Sequence, residues 1–207
     1  MSYSPKIFDV NSMDEARQII LTRSGRTTDI RWQTETPYLM ELIMTSFRLG
    51  PDSVVLDYGC GVGRLSKALI DRFACRVVGV DISPSMRMLA SVYVDSDLFS
   101  VHASRDLIDS PKFDLALAVW VLQHCDAVEN DIAIIASRLK PNGRLFLLNA
   151  RQRFVPEDSP RKWFDDGKDV AALVAERFVK TDDLYLDPVW VGEHTAERSY
   201  CSTWIKK

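Results

Sequence analysis

The sequence predicts an α/β fold in which a mostly parallel sheet is covered by helices on both faces. From residue 53 onward, short apolar runs alternate with helix-like patterns, which is typical of parallel sheets. The runs are apolar along most of their length, as expected for strands that are buried on both faces. A glycine-rich stretch, residues 59–63, follows the first run and precedes a helical pattern.

Five apolar runs predict the parallel strands, at residues 53–57, 75–80, 97–102, 113–120 and 144–150. Ser83 followed by Pro84 predicts the start of the helix after the second run, because serine caps a helix and proline fits its first turn. A helix is predicted around residues 168–178, followed by two more strands at 184–192 and 199–207. Their short connection favours an antiparallel hairpin, since a parallel crossover needs roughly a dozen residues or more.

The N-terminal part lies outside this alternation. Residues 31–47 predict one helix, because apolar side chains recur on one face: Tyr38, Leu39, Leu42, Ile43 and Phe47. We therefore expect an N-terminal helical cap, residues 1–49, on an α/β domain, residues 50–207.

Composition excludes several classes of function. The chain has 207 residues and a net charge of −3, so no bulk attraction to nucleic acid or to an anionic membrane is expected. Neither a signal-like segment nor an apolar run long enough to span a bilayer is seen, and the four cysteines form no CxxC pair. The three histidines have no ligand spacing, so no metal site is expected. These features predict a cytoplasmic protein with reduced thiols, and they leave its oligomeric state open.

The glycine-rich stretch predicts a binding site. Gly59, Gly61 and Gly63 allow a left-handed backbone and let a ligand lie against it, at the start of a helix. Asp81 ends the next strand, where an acid can grip ribose hydroxyls. Asp57 stands beside the glycines and would repel a pyrophosphate but attract an ammonium group. Together these residues indicate a pocket for an adenosine-containing ligand; the alternative is a tight turn without a ligand.

Four segments in register resemble the class I S-adenosylmethionine-dependent methyltransferases, over about residues 50–150. They are VVLDYGCGVGRLS (54–66), VVGVDISPSMRMLA (77–90), FDLALAVWVLQHC (113–125) and RLKPNGRLFLLNA (138–150). The resemblance implies a Rossmann-like three-layer α/β sandwich, with a seven-stranded, mostly parallel sheet and an antiparallel terminal strand. It also implies S-adenosyl-L-methionine as cofactor and S-adenosyl-L-homocysteine as product.

The resemblance also assigns cofactor contacts. Asp57, Gly59 and Gly61 would line the methionine part, and Asp81 would bind the ribose hydroxyls. The remaining contacts would come from Tyr58 and Trp120 at the sulfonium, Ile82 and Met86 at ribose and adenine, Ala103, Ser104 and Arg105 at the adenine edge, and Val121 and Gln123 near the sulfonium. Many relatives carry an acid where this chain has Ser104, so the adenine amino group is left to Ser104, Asp106 or a backbone group.

The candidate catalytic residue is His124, just past the fourth strand. Its imidazole can take a proton from an O–H or N–H group near neutral pH, or it can hold its loop by hydrogen bonds. The candidate substrate residues are Trp32 and Tyr38 in the N-terminal helix and Arg151 and Arg153 after the fifth strand. The two arginines would hold an acidic substrate; the alternative is that they are solvated surface residues.

The function expected from this reading is methyl transfer to an oxygen or nitrogen of a small molecule. The stretch VWVLQH (119–124) stands where base-methylating relatives carry an Asn-Pro-Pro-Tyr motif, which speaks against nucleic-acid acceptors. Two alternatives stay open. One is a non-catalytic partner subunit that binds S-adenosylmethionine; the other is an NAD(P)-dependent oxidoreductase, against which the G-x-G-x-G spacing speaks.

Overall fold

The computed structural model describes residues 2–21, 27–109, 112–158 and 162–207. The strands are β1 (Val54–Tyr58), β2 (Arg76–Val80), β3 (Phe99–His102), β4 (Phe113–Val119), β5 (Leu139–Ala150), β6 (Val155–Pro156), β7 (Trp163–Phe164), β8 (Phe178–Leu184) and β9 (Ser199–Lys206). The helices are α1 (Met13–Ile20), α2 (Thr28–Ser46), α3 (Arg64–Phe73), α4 (Pro84–Val94), α5 (Val128–Arg138), α6 (Val170–Arg177), α7 (Pro188–Val191) and α8 (Glu193–Arg198).

The described residues form a seven-stranded sheet in the order β3-β2-β1-β4-β5-β9-β8. The first five strands are parallel, and β9 runs antiparallel to both β5 and β8. The register pairs Asp57 with Gly79 on one side and with Leu117 on the other. The predicted α/β fold is confirmed, and the carboxyl ends of β1, β2 and β4 meet at one edge of the sheet.

The penultimate strand was predicted in the wrong place. Of the strand expected at 184–192, Leu184 is the last residue of β8, and residues 188–191 form the short helix α7. Asp187 caps α7 by accepting from the backbone N–H of Val189 at 2.9 Å, with Pro188 in the first turn. The strand itself is β8, directly after α6. Its residues are mostly polar and exposed because β8 forms the edge of the sheet, so it lacks the apolar pattern of the other strands. The antiparallel pairing of the last two strands is confirmed.

Apolar clusters fill both faces of the sheet. On one face α5 and α6 cover β1 and β4; on the other lie α2, α3 and α7. The predicted face of α2 is confirmed, since Leu39, Ile43 and Phe47 are buried there and Phe47 meets Phe146 edge-on at 6.4 Å. The helix begins three residues before the predicted range, at Thr28, where the Thr27 side chain caps it. The division of the chain at residue 49 stays a prediction.

Two segments distant in sequence meet above the carboxyl edge of the sheet. The backbone N–H of Ser4 donates to the carbonyl of Pro156 at 3.0 Å, and Tyr3 pairs with Glu157 as an antiparallel bridge. Strands β6 and β7 pair next to this contact. Residues 2–8 together with residues 154–158 and 162–164 are called the cover below.

Candidate active site

A cavity of about 900 Å³ lies between the carboxyl edge of the sheet and the cover. Most of the residues expected from the sequence line it: Asp57, Tyr58, Gly59, Gly61, Asp81, Ile82, Met86, Ser104, Trp120, Val121, Gln123 and His124. Ala103 and Arg105 are not part of the wall that the described residues form. The chain order therefore brings the loops after β1, β2 and β4 to one site.

The glycine loop has a left-handed backbone. The φ angles of Gly59, Gly61 and Gly63 are +76°, +55° and +77°. A Cβ at Gly59 would lie 2.2 Å from a side-chain methyl of Val121. Glycine is therefore required at this position both by the left-handed backbone and by the close packing of Val121. The N–H groups of Gly59 and Cys60 donate to the carbonyl of Val80, at 2.7 and 2.9 Å, which ties the loop to β2.

Asp57 and Arg64 bring opposite charges to the wall beside the glycine loop. Asp57 is buried and accepts a hydrogen bond from the Ser66 hydroxyl at 2.6 Å, and burial raises the pKa of its carboxyl to about 6. Arg64 is also buried, donates to the Thr36 hydroxyl at 2.9 Å, and has its guanidinium pKa lowered by burial to about 10. A buried carboxylate beside a buried guanidinium suits a ligand that carries both an ammonium group, which Asp57 attracts, and a carboxylate, which Arg64 attracts.

Asp81 is held by the backbone at the end of β2. One carboxylate oxygen accepts from the N–H of Gly61 at 2.8 Å and the other from the N–H of Ser83 at 2.9 Å. Burial raises the pKa of this carboxyl, against the lowering effect of these hydrogen bonds. Each carboxylate oxygen has a further lone pair. This fixed acceptor pair fits two neighbouring hydroxyl groups.

Asp131 is a site residue that the sequence did not reveal. It lies in the first turn of α5, lines the cavity, and accepts a hydrogen bond from the Tyr58 hydroxyl at 2.5 Å. Ser104 lies close enough to interact with the same hydroxyl, and burial raises the pKa of Tyr58. Asp106, one of the alternatives for the adenine contact, is exposed beside Arg105 at 3.7 Å and lies outside the cavity wall.

His124 is held in one tautomer. Its Nδ1 lies 2.7 Å from the carbonyl oxygen of Phe154, which can only accept, so Nδ1 carries the proton. Nε2 is then an acceptor, and it lies 3.3 Å from the amide nitrogen of Gln123. Burial lowers the pKa of His124, while the Phe154 carbonyl raises it. A neutral imidazole with Nε2 as acceptor is the form that a general base requires.

Aromatic side chains of the cover surround His124. The ring of Trp163 lies 5.3 Å from the His124 ring, that of Phe8 5.6 Å and that of Phe154 6.4 Å, measured between centroids. All three line the cavity. No periodic pattern marks these three residues in the sequence, because they come from short segments that are far apart in the chain.

Trp120, directly after β4, has a strained backbone conformation. Its φ is +51°, which is unfavourable for a residue with a Cβ. The backbone N–H donates to Leu148 at 2.6 Å, and the indole N–H donates to the Ser199 hydroxyl at 3.4 Å. The guanidinium of Arg31, which is paired with Glu35, lies 5.9 Å from the indole ring. These contacts hold the indole in the cavity wall.

The residues expected to bind the substrate lie elsewhere. The guanidinium groups of Arg17 and Arg64 lie over the ring of Trp32, 4.8 and 5.7 Å from its centroid, and Trp32 lies outside the cavity wall. The Tyr38 hydroxyl donates to the carbonyl of Tyr185 at 2.8 Å, so it fastens α2 to the segment before α7. Both side chains contact the protein itself in this structure, and their role in substrate binding stays a prediction.

The two arginines after β5 are engaged by the protein as well. Arg153 is buried, pairs with Asp166 at 3.0 Å and donates to the carbonyls of Leu122 and Cys125. Arg151 is exposed and donates to the carbonyl of Glu197 at 3.2 Å. Neither lines the cavity over the described residues. Arg153 instead holds the loop of His124.

Among the residues that the structure describes, no group of three or more metal-ligating side chains is found. The same residues contain no helix that is long and apolar enough to cross a membrane.

Comparisons with known proteins show the family of the chain. A family model described as a methyltransferase domain matches residues 32–180. The chain therefore belongs to the methyltransferase domain family, within the class I S-adenosylmethionine-dependent methyltransferases. Among curated relatives, the ubiquinone biosynthesis O-methyltransferase of Coxiella burnetii is 31% identical over 105 residues, which is 48% of this chain and 44% of the relative. That of Xanthomonas campestris is 38% identical over 109 residues, 47% of this chain and 43% of the relative.

Solved structures show the same fold. The N-methyltransferase NodS from Bradyrhizobium japonicum, in complex with S-adenosyl-L-homocysteine, aligns with a TM-score of 0.67 at 18% identity, over 93% of this chain and 97% of that one. Magnesium protoporphyrin IX methyltransferase from Synechocystis aligns with a TM-score of 0.64 at 19% identity, over 95% and 96%. The chain spans less than half the length of the curated relatives named above.

Proposed function

We propose that this protein transfers a methyl group from S-adenosylmethionine to an oxygen or nitrogen of a small molecule. The observation that carries this proposal is that Asp57, Asp81 and His124 line the same cavity. The residues suited to the cofactor and the candidate general base therefore lie at one site. Relatives named as O-methyltransferases and a structural neighbour named as an N-methyltransferase support both accepting atoms.

The residues present suit the cofactor. Asp57 and Arg64 would hold its ammonium and carboxylate groups beside Gly59, and Asp81 would take the ribose hydroxyls. Met86 and Ile82 offer apolar contact next to Asp81. When bound, S-adenosylmethionine supplies an electrophilic methyl group on a sulfonium.

The chain's own contribution is to position the acceptor and to receive its proton. Nε2 of His124 would take the proton of an O–H or N–H acceptor, while the Phe154 carbonyl keeps Nδ1 protonated. The lowered pKa of His124 keeps the imidazole neutral and ready to accept. The cover would exclude water and align the acceptor with the methyl group. For a donor that is already activated, this alignment is the main contribution of the protein to catalysis.

The wall near His124 favours an acceptor with an aromatic or other flat apolar body. Phe8, Phe154 and Trp163 present ring faces and edges there. Aromatic pairs gain about 0.5–1.5 kcal/mol beyond the burial of their surface.

Two measurements test the proposal. Calorimetric titration with S-adenosyl-L-homocysteine, next to a nicotinamide dinucleotide, should show saturable binding of the first alone. A panel of phenols and aromatic amines with S-adenosylmethionine should then yield S-adenosyl-L-homocysteine for at least one compound. Binding of the nicotinamide cofactor instead would favour an oxidoreductase. Cofactor binding without turnover, together with a stable complex with another chain, would favour a non-catalytic subunit.

A further inference from the structure

We propose that Asp131 accepts a hydrogen bond from the 6-amino group of the cofactor's adenine, and so makes the site selective for adenosine. This inference rests on the proposed function. It supplies the acid that is missing after β3, from a different element, the first turn of α5.

The order of the strands fixes the direction in which the cofactor extends. The glycine loop follows β1, Asp81 follows β2, and Ser104 follows β3, and these strands are neighbours in the order β3-β2-β1. A ligand with its amino-acid part at the glycine loop and its ribose at Asp81 therefore points its base toward Ser104. Asp131 is joined to this corner of the cavity through Tyr58, whose hydroxyl binds Asp131 and lies beside Ser104.

The other candidates for the contact are less suitable. The side chain of Asp106 is 54% exposed, lies next to Arg105 and is absent from the cavity wall. The Ser104 hydroxyl lines the cavity, but a hydroxyl donates as well as accepts and so distinguishes an amino group from a carbonyl poorly.

Asp131 has the chemistry that discrimination requires. An ionised carboxylate only accepts hydrogen bonds and has about four lone-pair sites, so it can bind another donor beside the Tyr58 hydroxyl. The Tyr58 hydroxyl also holds the carboxylate in one orientation. Adenine presents an N–H donor at position 6, whereas hypoxanthine presents a carbonyl oxygen, which the carboxylate would repel.

The test uses two ligands and three proteins. Wild type, Asp131→Asn and Asp106→Asn are titrated with S-adenosyl-L-homocysteine and with S-inosyl-L-homocysteine, its 6-oxo analogue. Wild type and Asp106→Asn should prefer the adenosyl ligand by roughly 10- to 100-fold, the range of one charge-assisted hydrogen bond. In Asp131→Asn the preference should fall to within about 3-fold or reverse, because an amide offers a donor to the 6-oxo group.

An unchanged preference in Asp131→Asn would overturn the inference, and so would an equal loss in Asp106→Asn. If Asp131→Asn does not fold, as judged by thermal melting, Asp131→Glu decides instead. Its carboxylate is displaced by one methylene, so the preference should drop at least about 3-fold, and an unchanged preference contradicts the inference. Wild type that binds neither ligand would overturn the proposed function together with this inference, whereas binding with unaltered selectivity overturns the inference alone.

Discussion

The cavity has two halves that are built in different ways. The floor, formed by the loops after β1, β2 and β4, is tied by backbone hydrogen bonds between neighbouring strands, such as those from Gly59 and Cys60 to Val80. The cover is tied by contacts between two segments that are far apart in the chain, such as Ser4 with Pro156 and Phe8 with Trp163 at 6.3 Å.

The difference separates two tasks. The floor is constrained by backbone geometry, so it suits a ligand of fixed shape such as the cofactor. The cover is held by a few backbone contacts and by aromatic packing between short segments that are far apart in the chain, and such segments can vary without changing the sheet. We therefore expect changes in the floor to affect cofactor binding and stability, and changes in the cover to affect the acceptor.

The largest effect is expected for Gly59→Ala. A left-handed backbone costs an alanine about 1–2 kcal/mol, and overlap with Val121 adds about 1–3 kcal/mol, so the loss of unfolding free energy should be about 2–5 kcal/mol. Gly167→Ala is the matched control, because Gly167 has φ +71° with open space around it. It should lose only the conformational part, about 1–2 kcal/mol, in urea unfolding. Equal losses would show that the packing of Val121 on the floor does not matter.

His124→Gln should lower kcat about 100-fold on an O–H acceptor and leave the affinity for S-adenosyl-L-homocysteine unchanged, because the base is removed and the floor is intact. Wild-type activity should fall as pH decreases through the lowered pKa of His124, since only the neutral imidazole accepts a proton. His194→Gln is the control, a second histidine on the cavity wall. Full activity of His124→Gln would reduce His124 to a residue that holds its loop.

Asp81→Ala should weaken the binding of S-adenosyl-L-homocysteine about 30- to 100-fold, because two charge-assisted hydrogen bonds to ribose are lost. It should also lose about 1–2 kcal/mol of unfolding free energy, since the N–H groups of Gly61 and Ser83 lose their acceptor. Asp114→Ala is matched to it: Asp114 accepts from the N–H of Val54 at 2.9 Å, at the opposite edge of the sheet. That variant should lose stability and keep its affinity. Unchanged affinity in Asp81→Ala would contradict the placement of the ribose.

The pH dependence of cofactor binding should reveal Asp57. The pKa of its carboxyl in the free protein is about 6, and only the carboxylate attracts the ligand's ammonium group, so affinity should decrease as pH falls below that value. Because one group titrates, the affinity can decrease by at most about tenfold per pH unit. The same raised pKa also contributes to the stability of the folded protein. This contribution is fully present below pH 3.8, the ordinary pKa of the carboxyl, and it is lost as pH rises through about 6. Asp57→Asn should flatten the binding curve; a flat curve in wild type would argue against the ion pair.

The smallest effects are expected in the cover. Trp163 and Phe164 are adjacent and similarly exposed, at 37% and 46%, but only Trp163 lines the cavity. Each alanine variant should lose less than about 1 kcal/mol of unfolding free energy. Trp163→Ala should raise KM for an aromatic acceptor about 3- to 10-fold without changing cofactor affinity, from the loss of one aromatic contact. Weaker cofactor binding in Trp163→Ala would contradict the division of the cavity into floor and cover.

Sequence by itself determined the floor. The spacing of strand, glycine loop, helix and strand places Asp57 and Asp81 at the same edge, because parallel neighbouring strands bring their carboxyl ends together. The left-handed backbone of Gly59 and Gly61 follows from the glycines themselves. These are local constraints, and local constraints are visible in a sequence.

Only the tertiary structure decided the rest. Asp131 on α5 meets Tyr58 on β1, Phe8 meets Trp163 from a distant part of the chain, and Arg153 turns inward to Asp166. The edge strand β8 carries polar residues, since one side of it has no neighbour, and so it left no apolar pattern to follow. Contacts between segments far apart in the chain depend on how the layers pack, and no spacing within one segment encodes them.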